Sequence, residues 1–301
     1  MAYLHCMKKL LFAICAGALL WAGCKEHDIP IDFSIKAISD TTYVLTSVPP
    51  AAPHQVLVEE FTGQTCPNCP QAHADLDAIS LAHSGFVNVI SLYTYGNPQS
   101  KPPAVHIYDF EDTTATNLLT TIYANVGGLP AAGIDRVAES GSIVQVGNSS
   151  WDGYITTQLG VADPLNLTVT STYDSSKTTA TITATVTYTQ AQSTPQNLSI
   201  VVVEDSMYDN QEFPSGGDQL FWFKDVFRGM VTAIAGDVLQ VTAGNDVKEA
   251  GRFFQKVYSY GLPAKTPALK PAHCRVIAFV NSSAGADKHI FQSAQCPLIK
   301  P

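Results

Sequence analysis

From Thr179 to Thr189 a threonine stands at every second position, with Ile182, Ala184, Val186 and Tyr188 between them. Strict period-two alternation satisfies both sets of side chains only as a strand with one wet and one dry face. Leu165, Leu167 and Val169 carry the same pattern ahead of a turn at Asp174-Ser175-Ser176, and Asn197 to Glu204 and Cys274 to Asn281 repeat it. Several such strands, separated by turn residues, predict an antiparallel β-sandwich of immunoglobulin-like type over residues 163–301. Its start is marked by the change of composition at Asp163-Pro164.

Residues 55–162 read differently. Val56 to Phe61 predicts a short buried strand that runs through Thr62-Gly63-Gln64-Thr65 into Cys66-Pro67-Asn68-Cys69-Pro70. A helix with Ala72, Leu76, Ile79 and Leu81 follows, then a strand over Phe86 to Leu92 and a mainly helical stretch over 104–125. An extended piece from Leu129-Pro130 to Asp135-Arg136 and a helix over Trp151 to Leu159 complete this part. Strand, Cys-x-x-Cys at a helix start, strand, helix and Gly-x-Pro in that order resemble the thioredoxin fold. The resemblance implies an α/β domain with Pro130 as a cis-proline beside the cysteine pair and Glu60 as a buried acid beneath it. The long separation of Cys66 from Pro130 implies an insertion near residues 93–112. The whole chain is therefore expected to be α/β plus all-β.

Two readings of the cysteine pair stay open. A helix N-terminus would stabilise a Cys66 thiolate. Cys66 would then be the nucleophile, Cys69 the resolving thiol, Glu60 the proton acceptor and Pro130 the substrate platform. In the other reading the disulfide is a staple, and Gln64-Thr65 stands where redox members of the fold carry Trp. Cys66, Cys69 and His73 offer three soft ligands, but a closed zinc site needs a fourth, so neither a metal nor another cofactor is expected.

Seven cysteines are present. Met7-Lys8-Lys9, the apolar run Leu10 to Leu20 and Trp21-Ala22-Gly23-Cys24 have the parts of a secretory signal. Cys after Ala-Gly resembles the lipobox of bacterial lipoproteins, which implies a signal peptide over 1–23 and lipidation of Cys24. Residues 24–54, with Pro30, Pro49, Pro50 and Pro53, read as a tether or linker, or as an added edge strand. With Cys6 and Cys15 removed, the remaining Cys274 and Cys296 flank the last hairpin and are expected to form a structural disulfide in an oxidising compartment.

Glu59 to His73 is also similar to the signature of the outer-membrane-protein-28 family, with further likeness at Gly128 to Arg136 and at Phe227-Arg228-Gly229-Met230. Membership implies an outer-membrane lipoprotein on the periplasmic or cell-surface face, held to the membrane through lipid on Cys24. A net charge of −9 argues against a nucleic-acid partner. No His-Glu-x-x-His, serine elbow, phosphate loop or dinucleotide fingerprint occurs. Asp205 to Asp225 reads as a long loop rich in aromatic residues, a candidate surface for a protein or glycan ligand; its acidic residues do not have calcium-loop spacing. The expected function is a binding or adhesion module on a thioredoxin-like scaffold, with an envelope thiol-disulfide oxidoreductase as the alternative.

Overall fold

The segments at 56–61 and 196–204 form strands buried at every position, the mark of strands covered on both faces, and both lie inside one large sheet. The computed structural model describes residues 37–300; the expected signal peptide and Cys24 lie outside them. Strand β1 (Ser39–Val44) lies within the expected tether and takes the edge-strand alternative. Strands β2 (Val56–Phe61) and β3 (Val87–Leu92) are parallel and wholly buried, joined by helix α1 (Cys69–Ala82). Helix α2 (Thr113–Leu118) continues as a π turn over Leu119–Tyr123. Helix over 104–125 is thus confined to its second half, because Asp112 caps it by accepting from the amides of Thr114 and Ala115. Pro102 and Pro103 keep the first half non-helical. Strands β4 (Ala131–Ile134) and β5 (Gln145–Val146) and helix α3 (Trp151–Leu159) follow.

The threonine-rich region forms β6 (Leu165–Asp174) and β7 (Thr179–Tyr188), and β8 (Gln196–Glu204) comes next. The expected loop over 205–225 is instead a β-hairpin, β9 (Met207–Glu212) with β10 (Asp218–Phe223), leading into β11 (Val226–Met230). The chain ends with β12 (Asp237–Val238), β13 (Arg252–Gly261), β14 (Cys274–Ser282) and β15 (Ile290–Pro297).

The protein is β-rich and built of several sheets. One four-stranded sheet has the order β1-β13-β7-β6, and a nine-stranded sheet runs β15-β14-β8-β11-β3-β2-β4-β5 with β12 also on β8. Val226 bridges Ser91 in parallel, so this second sheet passes unbroken across the 162/163 boundary expected from composition. Ile200 and Val202 face the four-stranded sheet and join Ile182, Val186 and Phe254 in one core. Val201 and Val203 face the other way and pack with Leu57, Phe61 and Phe279. A third core sets α1 and α3 against β2 and β3 through Leu76, Trp151 and Val58. Each such fully buried side chain contributes about 1.5–3 kcal/mol of transfer free energy.

The expected Cys274–Cys296 staple is not formed; both thiols are free. Cys296 lies opposite Val276, and Cys274 is two residues earlier on β14, bonded through its carbonyl to the amide of Leu298. The two are diagonal neighbours on one sheet face. Such neighbours stand roughly 7–8 Å apart, farther than a disulfide reaches.

Candidate functional site: a covered cysteine pair

Cys66 and Cys69 form a disulfide with Cα atoms 5.4 Å apart. Helix α1 begins at Cys69 with Asn68 as its cap and Pro70 in its first turn. Cys66 therefore sits ahead of the helix rather than at its start, in a turn where its amide donates to Gly63 and its carbonyl accepts from Cys69, both at 3.1 Å.

Neither cysteine has any exposed surface, each being 0% accessible. Two segments cover them. The first is the segment that follows β3: Thr65 donates its amide to Gln99, and the Ser100 hydroxyl donates to the Thr62 carbonyl. A Cβ on Gly63 would lie 2.1 Å from the Gln99 oxygen, so the close approach requires glycine. The second is the β9–β10 hairpin. Gln211 donates its side-chain amide to the carbonyls of Gly63 and Cys66 at 3.2 and 3.1 Å, and Glu212 donates its main-chain amide to Gln64 at 2.9 Å. The covers are also tied to each other. Asp209 accepts from the amides of Ile107 and Tyr108, and the His106 ring lies between Gln64 and Asp218 at 3.1 and 3.4 Å.

Glu60 is fully buried on β2. Its Oε2 accepts from the Ser91 hydroxyl at 2.8 Å and lies 3.1 Å from Nδ1 of His73, whose Nε2 is 3.2 Å from the Thr62 hydroxyl. Burial disfavours a charged His73, but the adjacent Glu60 outweighs it and raises the ring's pKa above its ordinary value. His73 thus serves Glu60 and Thr62 rather than forming a ligand set with the cysteines. Among the described residues, no group of three or more His, Cys, Asp or Glu is arranged to hold a metal ion. Pro130 follows Leu129 through a cis peptide, and its carbonyl accepts from the Gly147 amide.

The hairpin, His106 and Asp225 were not foreseen from the sequence. The signal for the hairpin was there: Met207, Asp209 and Gln211 alternate with Tyr208, Asn210 and Glu212 ahead of Pro214-Ser215-Gly216-Gly217. Polar residues on both faces masked it. Asp225 sits where β10 turns into β11, and burial pushes its carboxyl up to about 6 although Arg275 opposes this; Asp205 and Asp77 add to the rise.

Two further buried charge clusters lie on or beside β2. On the residue before Glu60, Glu59 is gripped by Arg136 through both carboxylate oxygens at 2.7 Å and by the Tyr123 hydroxyl. His54 lies between Asp163 at 2.5 Å and Asp135 at 2.7 Å, and burial pushes both carboxyls upward against the ring's pull. Asp135 and Arg136 reach their partners from left-handed backbone, φ 44° and 52°, a conformation uncommon for residues other than glycine. In the second half, Arg228 and Glu204 form a buried ion pair at 3.1 Å.

The architecture is similar to HBP35 of Porphyromonas gingivalis, with TM-score 0.62 and 18% identity over 84% of this chain and 78% of that one. A protein of Agrobacterium tumefaciens aligns with TM-score 0.50 and 10% identity over 84% of this chain and 98% of that one. No curated protein matches the sequence. Residues 119–295 match the family profile described as outer membrane protein Omp28, a span that begins after the cysteine pair and ends on the last strand. That match takes in more than half of the chain, which belongs to the Omp28 family.

Proposed function

We propose that the protein is an outer-membrane lipoprotein, anchored through lipid on Cys24, that works as a binding module for a protein or glycan. A thioredoxin-like scaffold carries the binding face, an immunoglobulin-like sandwich backs it, and Cys66–Cys69 is a staple. The parallel β2–α1–β3 unit with antiparallel β4 supports the scaffold reading, and the Omp28 match supports the location. The observation that carries the proposal is the complete cover over both cysteines, one half of it a hairpin that turns Tyr208, Leu220 and Trp222 outward at 42%, 61% and 57% exposure. Reactive cysteines are accessible ones, whereas clustered exposed apolar side chains mark interaction surfaces.

The buried Glu60–His73 pair favours the alternative, an envelope oxidoreductase in which these groups move protons for Cys69. Insulin reduction by the full chain in non-ionic detergent, together with the potential of the pair, separates the two. The staple reading expects no turnover beyond that of a Cys66→Ser/Cys69→Ser variant, and a potential below about −300 mV. Turnover lost in that variant, with a potential above about −270 mV, would replace binding by redox catalysis.

A further inference from the structure

Strand β10 has a partner on one side only: β9 pairs with it, and no other described strand does. The Phe213 amide donates to the Gly217 carbonyl, which makes 213 and 217 a hydrogen-bonded pair. Alternation along the ladder then makes 212/218, 210/220 and 208/222 the non-bonded pairs. The Tyr208 and Trp222 rings, 4.6 Å apart, fit the closer spacing of such pairs. The main-chain groups of Asp218, Leu220 and Trp222 consequently turn away from β9, along an edge with neither lysine nor proline to blunt it. Edges of this kind are templates for another strand.

A groove of about 280 Å³ runs beside this edge, with Leu220 and Trp222 on one wall and Ala74 and Asp77 of α1 on the other. It adjoins a smaller well of about 20 Å³ that shares Asp77, Phe221, Trp222 and Lys224 with it and reaches inward to Glu60, His73 and Asp225. The well has room for one water-sized group, and an ammonium is that size. Three carboxylates, Glu60, Asp77 and Asp225, border the well together with His73 and Lys224. Lys224 is spent on Asp77 at 2.6 Å, Arg275 is paired with Asp225, and His73 lies against Oε2 of Glu60. Oε1 of Glu60 is buried with no hydrogen-bond partner, and a buried carboxylate oxygen calls for a donor.

Resting on the reading of the hairpin as a binding face, we propose that β10 receives an extended polypeptide segment as an added strand, with a lysine of that segment placing its ammonium in the well against Glu60. Main-chain pairing supplies affinity and the alternating side chains supply selectivity. Residues of the guest that face outward lie beside Leu220 and Trp222, and the lysine between them points inward, on the side of Phe221. The net charge of −9 favours a cationic guest and disfavours a second copy of the chain in that place.

The probe is the capped peptide acetyl-Ser-Val-Lys-Val-Ser-amide, titrated calorimetrically into the full chain in non-ionic detergent. Replacing its lysine with norleucine is expected to weaken binding at least 10-fold, and replacing it with glutamate to abolish binding. Replacing either valine with proline removes an edge hydrogen bond and is expected to abolish it as well. Trp222→Ala and Glu60→Gln should each weaken binding about 10-fold, with the norleucine peptide unaffected by Glu60→Gln; that readout separates a lost contact from a damaged fold. Equal binding of the lysine and norleucine peptides, or no binding at millimolar peptide, overturns the proposal. So does sedimentation showing a dimer that Leu220→Pro dissociates, since a second copy would then hold the edge. None of these outcomes involves the disulfide: failed peptide binding with inert cysteines removes this inference alone, whereas insulin turnover removes the reading beneath it, whatever the peptide does.

Discussion

The side-chain amide of Gln211 donates to the main-chain carbonyl of Cys66 across 3.1 Å. A residue distant in sequence thereby latches a cover over the disulfide, and the same nitrogen also reaches Gly63. Removing it should loosen the latch by about 1–2 kcal/mol. Reduction of the pair by dithiothreitol in Gln211→Ala is therefore expected to run about 10-fold faster than in the parent, read by quenched alkylation and mass. An unchanged rate would mean that the cover opens by a route that leaves this bond intact.

Arg136 is the test of the neighbouring cluster. It is buried with Glu59, and its guanidinium lies 5.1 Å from the centre of the Phe279 ring. Arg136→Met would leave the Glu59 carboxylate buried without its cation, and such a loss costs about 3–5 kcal/mol. Denaturant titration should show a midpoint shift of that order. The pair Glu59→Gln with Arg136→Met should recover much of it.

The pH dependence of stability should carry the mark of His54. Burial disfavours its charged ring, yet Asp135 and Asp163 prevail and push its pKa up to about 10 from 6.5. The folded chain thus holds this proton more tightly than the unfolded one. The resulting stabilisation is complete below about pH 6.5 and is lost as pH climbs towards 10. Thermal midpoints at pH 6, 8 and 10 should fall in that order, and His54→Gln should flatten the decline.

Alkylation of the denatured, unreduced chain should label Cys274 and Cys296 and leave the 66–69 peptide two mass units light and unlabelled. Burial pushes both free thiols up, to about 12 and about 11, so labelling of the native protein at pH 8 should be at least 10-fold slower than after denaturation. Equal rates would place one of these thiols at the surface.

Much of this was legible in the chain. Val56–Phe61 and Trp151–Leu159 have the bounds their sequences suggest, because a short apolar run opening on Val56-Leu57-Val58 and a clear helical stretch leave little choice. The Thr179–Thr189 alternation likewise set Ile182 and Val186 facing inward. What escaped depends on partners distant in sequence. The hairpin buries Asp209 and Gln211, polar residues that look solvated until Ile107 and Cys66 supply their bonds. Cys274 and Cys296 looked paired because they flank a hairpin, but a shift of two residues in register decides the matter and composition does not encode it. Glu60 was foreseen as a buried acid; its company, His73 and Ser91, required the two parallel strands to be brought side by side.

The bridge from Val226 to Ser91 has a consequence for how the molecule comes into being. Synthesis delivers the chain from its N-terminus, so β3 emerges well over a hundred residues before the strand that closes its outer side. Until residue 226 arrives, the newborn first half carries a bare strand border that the finished fold buries completely. Maturation is therefore a late, chain-long event, and the nascent half needs shelter in the interval.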